Sequence, residues 1–219
     1  MADATFQPKV YRKQGGDTII VASGGVMDVE SGGALKIAGT QVTATAAELN
    51  TLASQTITLG AGAGITGGTG TVYLNSVQLS GTIYKTQILI DLTGLGSSTT
   101  DLDIIGVGAS VAYIAKLTAA QNGTTILAVS MECLEAPATG VTDIDLYSAT
   151  EGTGVFDGLV TSLTETALLT SGGAWTNGAM KAATVVPLST EYLYLTCGAA
   201  GTPATYTAGK FLITLYGYA

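Results

Sequence analysis

The chain has 219 residues, of which 47% are apolar and 11% are charged, and 30 are glycine. An average soluble domain is about one-quarter charged. Much of this surface is therefore expected to be Thr, Ser, Gly and Ala and to meet other protein, because buried interfaces are depleted of charge. The net charge is −8, with one arginine and no histidine. This argues against direct nucleic-acid binding and excludes Ser-His-Asp and Cys-His catalysis.

Residues 1–18 are predicted to form an extended arm, either disordered alone or acting as a tether that orders on a partner. Pro8 favours extended backbone before it, and Gly15-Gly16 interrupts regular structure. The arm has no apolar run typical of a secretory signal, and no segment approaches the 18 apolar residues of a membrane span. The candidate partner-contacting residues combine the basic cluster with apolar neighbours: Phe6, Pro8, Lys9, Val10, Tyr11, Arg12 and Lys13.

Residues 19–85 are predicted to form a short β stem. Val-x-Ser-Gly-Gly occurs at 21–25 and again at 29–33, separating the short segments 26–29 and 34–37, and the alternation around Leu35 and Ile37 favours a strand. Two such strands are not stable alone, and repeat folds usually need three or more copies. Neighbouring chains would supply the missing copies, which predicts a homo-oligomer, most simply a homotrimer.

A short helix is predicted over 44–54, followed by a hairpin-like connector to residue 85. Thr45 and Glu48 match a capping box, and Leu49 and Leu52 lie on one helical face. A helix of this length needs packing partners. The predicted trimer contacts are Leu35, Ile37, Leu49 and Leu52.

Residues 86–219 are predicted to form an outer β-sandwich of jelly-roll type, so that the whole chain is all-β. Asn122-Gly123 predicts a hairpin, and a short helix or turn is expected near 163–169. The predicted strands are 87–91, 104–107, 111–118, 125–134, 143–147, 182–186, 192–197 and 211–218.

Several motifs allow a chemical and a structural interpretation. Cys133 and Cys197 lie in apolar runs and are predicted to be buried free thiols. The GxGxxG letters at 62–67 precede a strand rather than a helix, which favours a glycine-rich turn over a nucleotide site. Trp175 either anchors its loop over the core or stacks on a sugar or a partner protein. No cofactor is expected.

The carboxylate pairs Asp101/Asp103 and Asp143/Asp145 are spaced to share one face of a strand. They are interpreted as solubilising charges at strand ends. A cation site and a glycosidase pair, which needs about 5–9.5 Å between carboxyl groups, are the alternatives.

The segment GTQVTATAAELNTL at 39–52 resembles a string found in bacteriophage particle proteins, including head-decoration, head-fibre and tail-fibre proteins. The flanking Ser-Gly-Gly repeats are similar, and LIDLTG, DIDLY and AGKFLI resemble the outer domain of capsid cement proteins. The resemblance implies a trimer on the capsid outer surface, made in the host cytoplasm, with the major capsid protein as its partner, no catalytic residues and no contact with membrane.

The resemblance indicates a particle protein more clearly than a position on the particle. A receptor-binding adhesin of a head or tail fibre, recognising host glycan, is the first alternative. A carboxylate-based polysaccharide-degrading enzyme is the second.

Overall fold

The computed structural model of the chain describes residues 10–12, 15, 18–29, 33–43 and 59–219. The chain divides into two compact units, Met1–Thr56 and Ile57–Ala219, called here the N-terminal unit and the C-terminal unit. The sequence predicted the outer domain to begin at residue 86, but the compact unit begins about thirty residues earlier.

The described residues are mostly β. The helical segments are α1 (Ala63–Thr66), α2 (Ala119–Asn122) and a 3-10 turn (Val160–Ser162). The strands are β1 (Val10–Arg12), β2 (Ile19–Val21), β3 (Lys36–Ile37), β4 (Thr40–Gln41), β5 (Val72–Ser80), β6 (Ile83–Asp91), β7 (Gly96–Ser97), β8 (Ala115–Lys116), β9 (Thr125–Ala138), β10 (Ile144–Ala149), β11 (Glu165–Leu169), β12 (Met180–Ala182), β13 (Tyr192–Cys197), β14 (Ala204–Thr205) and β15 (Ala208–Tyr218).

The described residues of the N-terminal unit form two small antiparallel ribbons. β1 pairs with β2, and β3 pairs with β4. The β3–β4 turn is tight because Ala38 and Gly39 both have positive φ, +49° and +82°, as a two-residue hairpin turn requires. The strand predicted at 34–37 is thus present at Lys36–Ile37, whereas residues 26–29 form no regular element. The helix predicted over 44–54 lies outside the described residues.

The C-terminal unit is built on two antiparallel sheets that share one buried core. The five-stranded sheet has the order β12-β9-β15-β6-β5 and the four-stranded sheet β11-β10-β13-β8. In β15, alternate residues from Phe211 to Leu215 are buried and those between them are partly exposed, as expected for a sheet with one face on the core. The all-β prediction is confirmed.

The two inner strands of the four-stranded sheet, β10 and β13, are buried on both faces. Every residue of β10 is buried, so polar Asp145 and Ser148 lie inside together with Ile144. Irregular segments cover the face that carries Asp145. The Tyr194 hydroxyl, which lies on that face, donates to the Glu151 carbonyl at 2.7 Å and accepts from the Gly154 amide at 3.2 Å.

The predicted connector is part of the core sheet. β5 and β6 pair along their whole length, and β6 continues without a break across residue 85 into the sheet centre. Tyr73 and Val77 on β5 pack against the core. Their alternation with exposed neighbours explains why this hairpin belongs to the C-terminal unit.

The hairpin predicted at Asn122-Gly123 is wrong. Asn122 ends α2, where its side chain accepts from the Thr118 amide at 2.9 Å and donates to Thr86 Oγ1 at 2.8 Å. A short helical turn therefore separates β8 from β9, and the two strands lie in different sheets.

The remaining strand predictions hold in part. Strands occupy most of the predicted segments at 87–91, 125–134, 143–147, 192–197 and 211–218. Residues 104–107 make only isolated bridges, and only two residues of 111–118 are a strand. The helix or turn expected at 163–169 is instead β11, where Leu168 and Leu169 are both buried. Burial of two consecutive leucines hides the alternation that identifies a strand.

Candidate functional site

Large apolar side chains are mostly exposed in the described segments 18–29 and 33–43 of the N-terminal unit. Residues 18–29 and 33–43 contain nine Val, Ile, Leu or Met residues, and none of them is buried. Their exposure runs from 44% at Val21 to 78% at Val26, apart from Ile20 and Val42, which are half-buried. The exposed set is called here the N-terminal apolar surface and comprises Ile19, Val21, Val26, Met27, Val29, Leu35 and Ile37.

Two-stranded ribbons explain this exposure. A ribbon has two faces, and a two-stranded hairpin without a covering layer is marginal in water. Among the residues described in this unit, β1–β2 and β3–β4 form separate sheets. Exposed apolar side chains concentrated in one short segment are typical of a protein–protein contact.

The predicted contact residues fall partly on this surface. Leu35 is 49% exposed and Ile37 67% exposed, so both are available to another chain. Leu49 and Leu52 lie outside the described residues, as do Phe6, Pro8, Lys9 and Lys13. The other predicted arm residues, Val10, Tyr11 and Arg12, form β1 and pair with Ile19–Val21. Contacts with a capsid and with sibling chains stay predictions.

Two of the four candidate carboxylates lie close together around Gly198. A Cβ atom added there would lie 2.6 Å from Asp143 Oδ1 and 2.8 Å from Asp145 Oδ1. Asp145 accepts a hydrogen bond from the Ser171 amide at 2.5 Å. Burial raises the pKa of Asp145, and the charges of Asp143 and Asp101 raise it further. The sequence did not predict that the two pairs would approach each other.

The second pair does not share a strand face. Asp101 is exposed and Asp103 is buried, because Leu102 between them has a φ of +70° and turns the chain. Asp103 accepts from the Thr100 amide at 3.1 Å. Its carboxylate therefore stabilises a local turn.

The geometry of these carboxylates offers little to a sugar or a cation. Asp145 is 4% exposed, so a polysaccharide cannot reach it in this conformation. The shallow cavity next to Asp143 is lined by residues 139–143 and 199–202, with Asp143 as its one carboxylate, whereas glycoside hydrolysis uses two. In the described part of the chain, no three or more Asp, Glu, Cys or His side chains are arranged to hold a metal ion.

Trp175 anchors its loop on the core, as one of the interpretations predicted. Its indole Nε1 donates to the Ile144 carbonyl at 2.8 Å, and its ring meets Phe211 edge-on with centroids 5.4 Å apart. Lys181 Nζ lies 4.9 Å from the ring centroid. Trp175 is 3% exposed and so presents no face to a glycan.

The glycine-rich segment at 62–67 forms the single helical turn α1 (Ala63–Thr66), instead of the plain turn that the sequence predicted, and packs tightly on its neighbour. The amide of Gly62 donates to the Tyr113 carbonyl and that of Gly64 to the Val111 carbonyl, both at 2.8 Å. A Cβ atom at Gly62 would lie 2.1 Å from Val111 O. Backbone approach, rather than phosphate binding, explains these glycines. Cys133 and Cys197 are both free and buried, as predicted.

Comparisons of the chain with protein-family models, with curated proteins and with solved structures find no significant match. No helix among the described residues is both long enough and apolar enough to cross a bilayer.

Proposed function

We propose that this chain is a structural virion protein that decorates and cements a bacteriophage capsid. In this proposal residues 1–18 contact the major capsid protein, and the rest of the N-terminal unit, up to Thr56, holds three copies together. The C-terminal strands form a jelly-roll sandwich that faces solvent. The N-terminal apolar surface is the observation that carries the proposal.

The energy available at that surface is large. Fully burying one Val, Leu, Ile or Met side chain contributes about 1.5–3 kcal/mol. Seven such side chains, each between 44% and 78% exposed, offer about 6–12 kcal/mol per chain if other protein covers them. In an isolated chain these side chains stay in contact with water. Contact with sibling chains and a shell protein would bury them and gain this energy.

Basic side chains cluster in the arm and acidic side chains predominate in residues 86–219, as suits a protein that holds neighbouring capsid subunits together through its arm. Residues 86–219 hold three basic and eleven acidic side chains and so carry the whole net charge of −8. The arm holds the basic cluster Lys9, Arg12 and Lys13. A trimer presents three arms, so after the first arm binds the others bind intramolecularly and weak contacts add up to avidity. The acidic outer part keeps neighbouring particles apart.

Charge reversal in the arm tests the proposal. The full chain with Lys9→Glu, Arg12→Glu and Lys13→Glu is expected to lose binding to purified phage shells that lack the protein. A fluorescently labelled chain that sediments with the shells measures this binding. Lys116→Glu, a reversal at an exposed residue of the C-terminal unit, is the control and should bind as the natural chain does.

Unchanged shell binding by the triple variant would contradict the arm's role. The two alternatives predict other outcomes. A fibre adhesin would be present in few copies per particle, and a polysaccharide-degrading enzyme would show turnover that is lost in the Asp143→Asn/Asp145→Asn variant.

A further inference from the structure

Strand β5 is an edge strand without the usual protection. Three of the four outer edges of the two large sheets are short or charged: β12 has three residues and includes Lys181, β11 includes Glu165, and β8 has two residues. β5 has nine residues, VYLNSVQLS, with no charge and no proline. Natural proteins usually protect an edge of this kind because it is a template for pairing.

The second side of β5 has no pairing strand among the described residues. β5 pairs with β6 from Val72↔Asp91 to Ser80↔Ile83. Within the described residues, its backbone makes no hydrogen bond to any other element. Leu74 is 58% exposed and Leu79 49% exposed, so apolar side chains flank this edge. A strand of nine residues offers about 30 Å of pairing length.

The charge of the sheet favours a second copy of this chain over a strongly charged partner. The five-stranded sheet holds three lysines, namely Lys85, Lys181 and Lys210, and three carboxylates, namely Asp91, Glu132 and Glu135. Its net charge is therefore zero, and the excess acidic charge of the C-terminal unit lies on its other strands and loops. Two acidic copies repel each other least where this sheet meets its counterpart.

We propose that β5 pairs antiparallel with β5 of a second copy and extends the sheet through both chains. Full overlap of the nine residues places Ser76, the middle residue, opposite itself. This contact goes beyond the proposed function, because it is twofold and joins chains in pairs. If the N-terminal unit also assembles in threes, the β5 contact connects one trimer to another.

Charge substitution at Ser76 tests the pairing in the full chain. Ser76 is exposed, so the substitution places no charge in the core, and circular dichroism checks the fold. Ser76→Lys and Ser76→Glu each place two like charges face to face, and each variant should sediment with half the mass of the natural chain. An equal mixture of the two variants should recover the full mass, since lysine then faces glutamate. Gln87→Lys, on the neighbouring β6 position, is the matched control and should keep the full mass.

All these chains also carry Ile37→Ser and are compared at a concentration at which the N-terminal unit does not assemble, so the ratio of masses reports the β5 contact alone. Equal masses of the Ser76→Lys variant and the natural chain would overturn the proposal. Failure of the mixture to recover the full mass would overturn it too. Loss of mass in Gln87→Lys would place the contact on the sheet face rather than the edge, and the pairing of β5 with β5 would then be wrong.

Discussion

Replacing Ile37 with serine removes an apolar side chain that is 67% exposed on the N-terminal unit. Complete burial of an isoleucine contributes at most about 3 kcal/mol, so covering the exposed part contributes about 2 kcal/mol per chain. A trimer loses this contribution three times, about 6 kcal/mol, or about 10⁴-fold in its association constant. Because the dissociation constant of a trimer scales with concentration squared, the midpoint concentration should rise about 100-fold.

Sedimentation equilibrium over a concentration series measures that midpoint. All the chains compared carry Ser76→Lys, so that only assembly through the N-terminal unit is observed. Leu188→Ser is the matched control, because Leu188 is 64% exposed but lies in the C-terminal unit. The control should assemble like its parent. An unchanged midpoint for Ile37→Ser, or a monomeric parent at every concentration, would refute the assignment of Ile37 to the trimer contact.

Two further predictions concern the core. Trp175→Phe removes the donor to the Ile144 carbonyl and should lower the free energy of unfolding by about 1–3 kcal/mol in urea denaturation; no change would mean that the indole does not anchor its loop. Asp145→Asn should stabilise the folded chain at pH 7. Burial raises the pKa of Asp145 above 3.8 in the folded state, so the ionised carboxylate increasingly opposes folding as the pH rises. The neutral asparagine removes that cost. That gain should vanish near pH 3, and a gain that persists there would contradict the proposed cause.

The sequence predicts the regular strands of the C-terminal unit well where one physical rule dominates. At 211–218, large apolar residues recur at Phe211, Ile213 and Leu215, and the strand there has one buried face. At 192–197, the run is almost continuously apolar, and the strand there is buried on both faces. Both patterns are visible without the fold.

The predictions from sequence fail where contacts between residues distant in the sequence determine the local structure. Asn122 closes a helical turn because its side chain reaches Thr86, which is 36 residues away in the sequence. Asp101 affects Asp145 only because the fold brings the two carboxylate pairs together. The exposed edge of β5 depends on strand order, since the same nine letters in the middle of a sheet would present no edge.

The position of this chain on a phage particle decides whether it is a decoration protein of the head. Electron micrographs of purified phage particles, with gold-labelled antibody against the exposed outer part of this chain, measure that location. For a capsid decoration protein we expect label over the whole head surface at regular lattice positions. Label confined to the tail, or absent from intact particles, would contradict it.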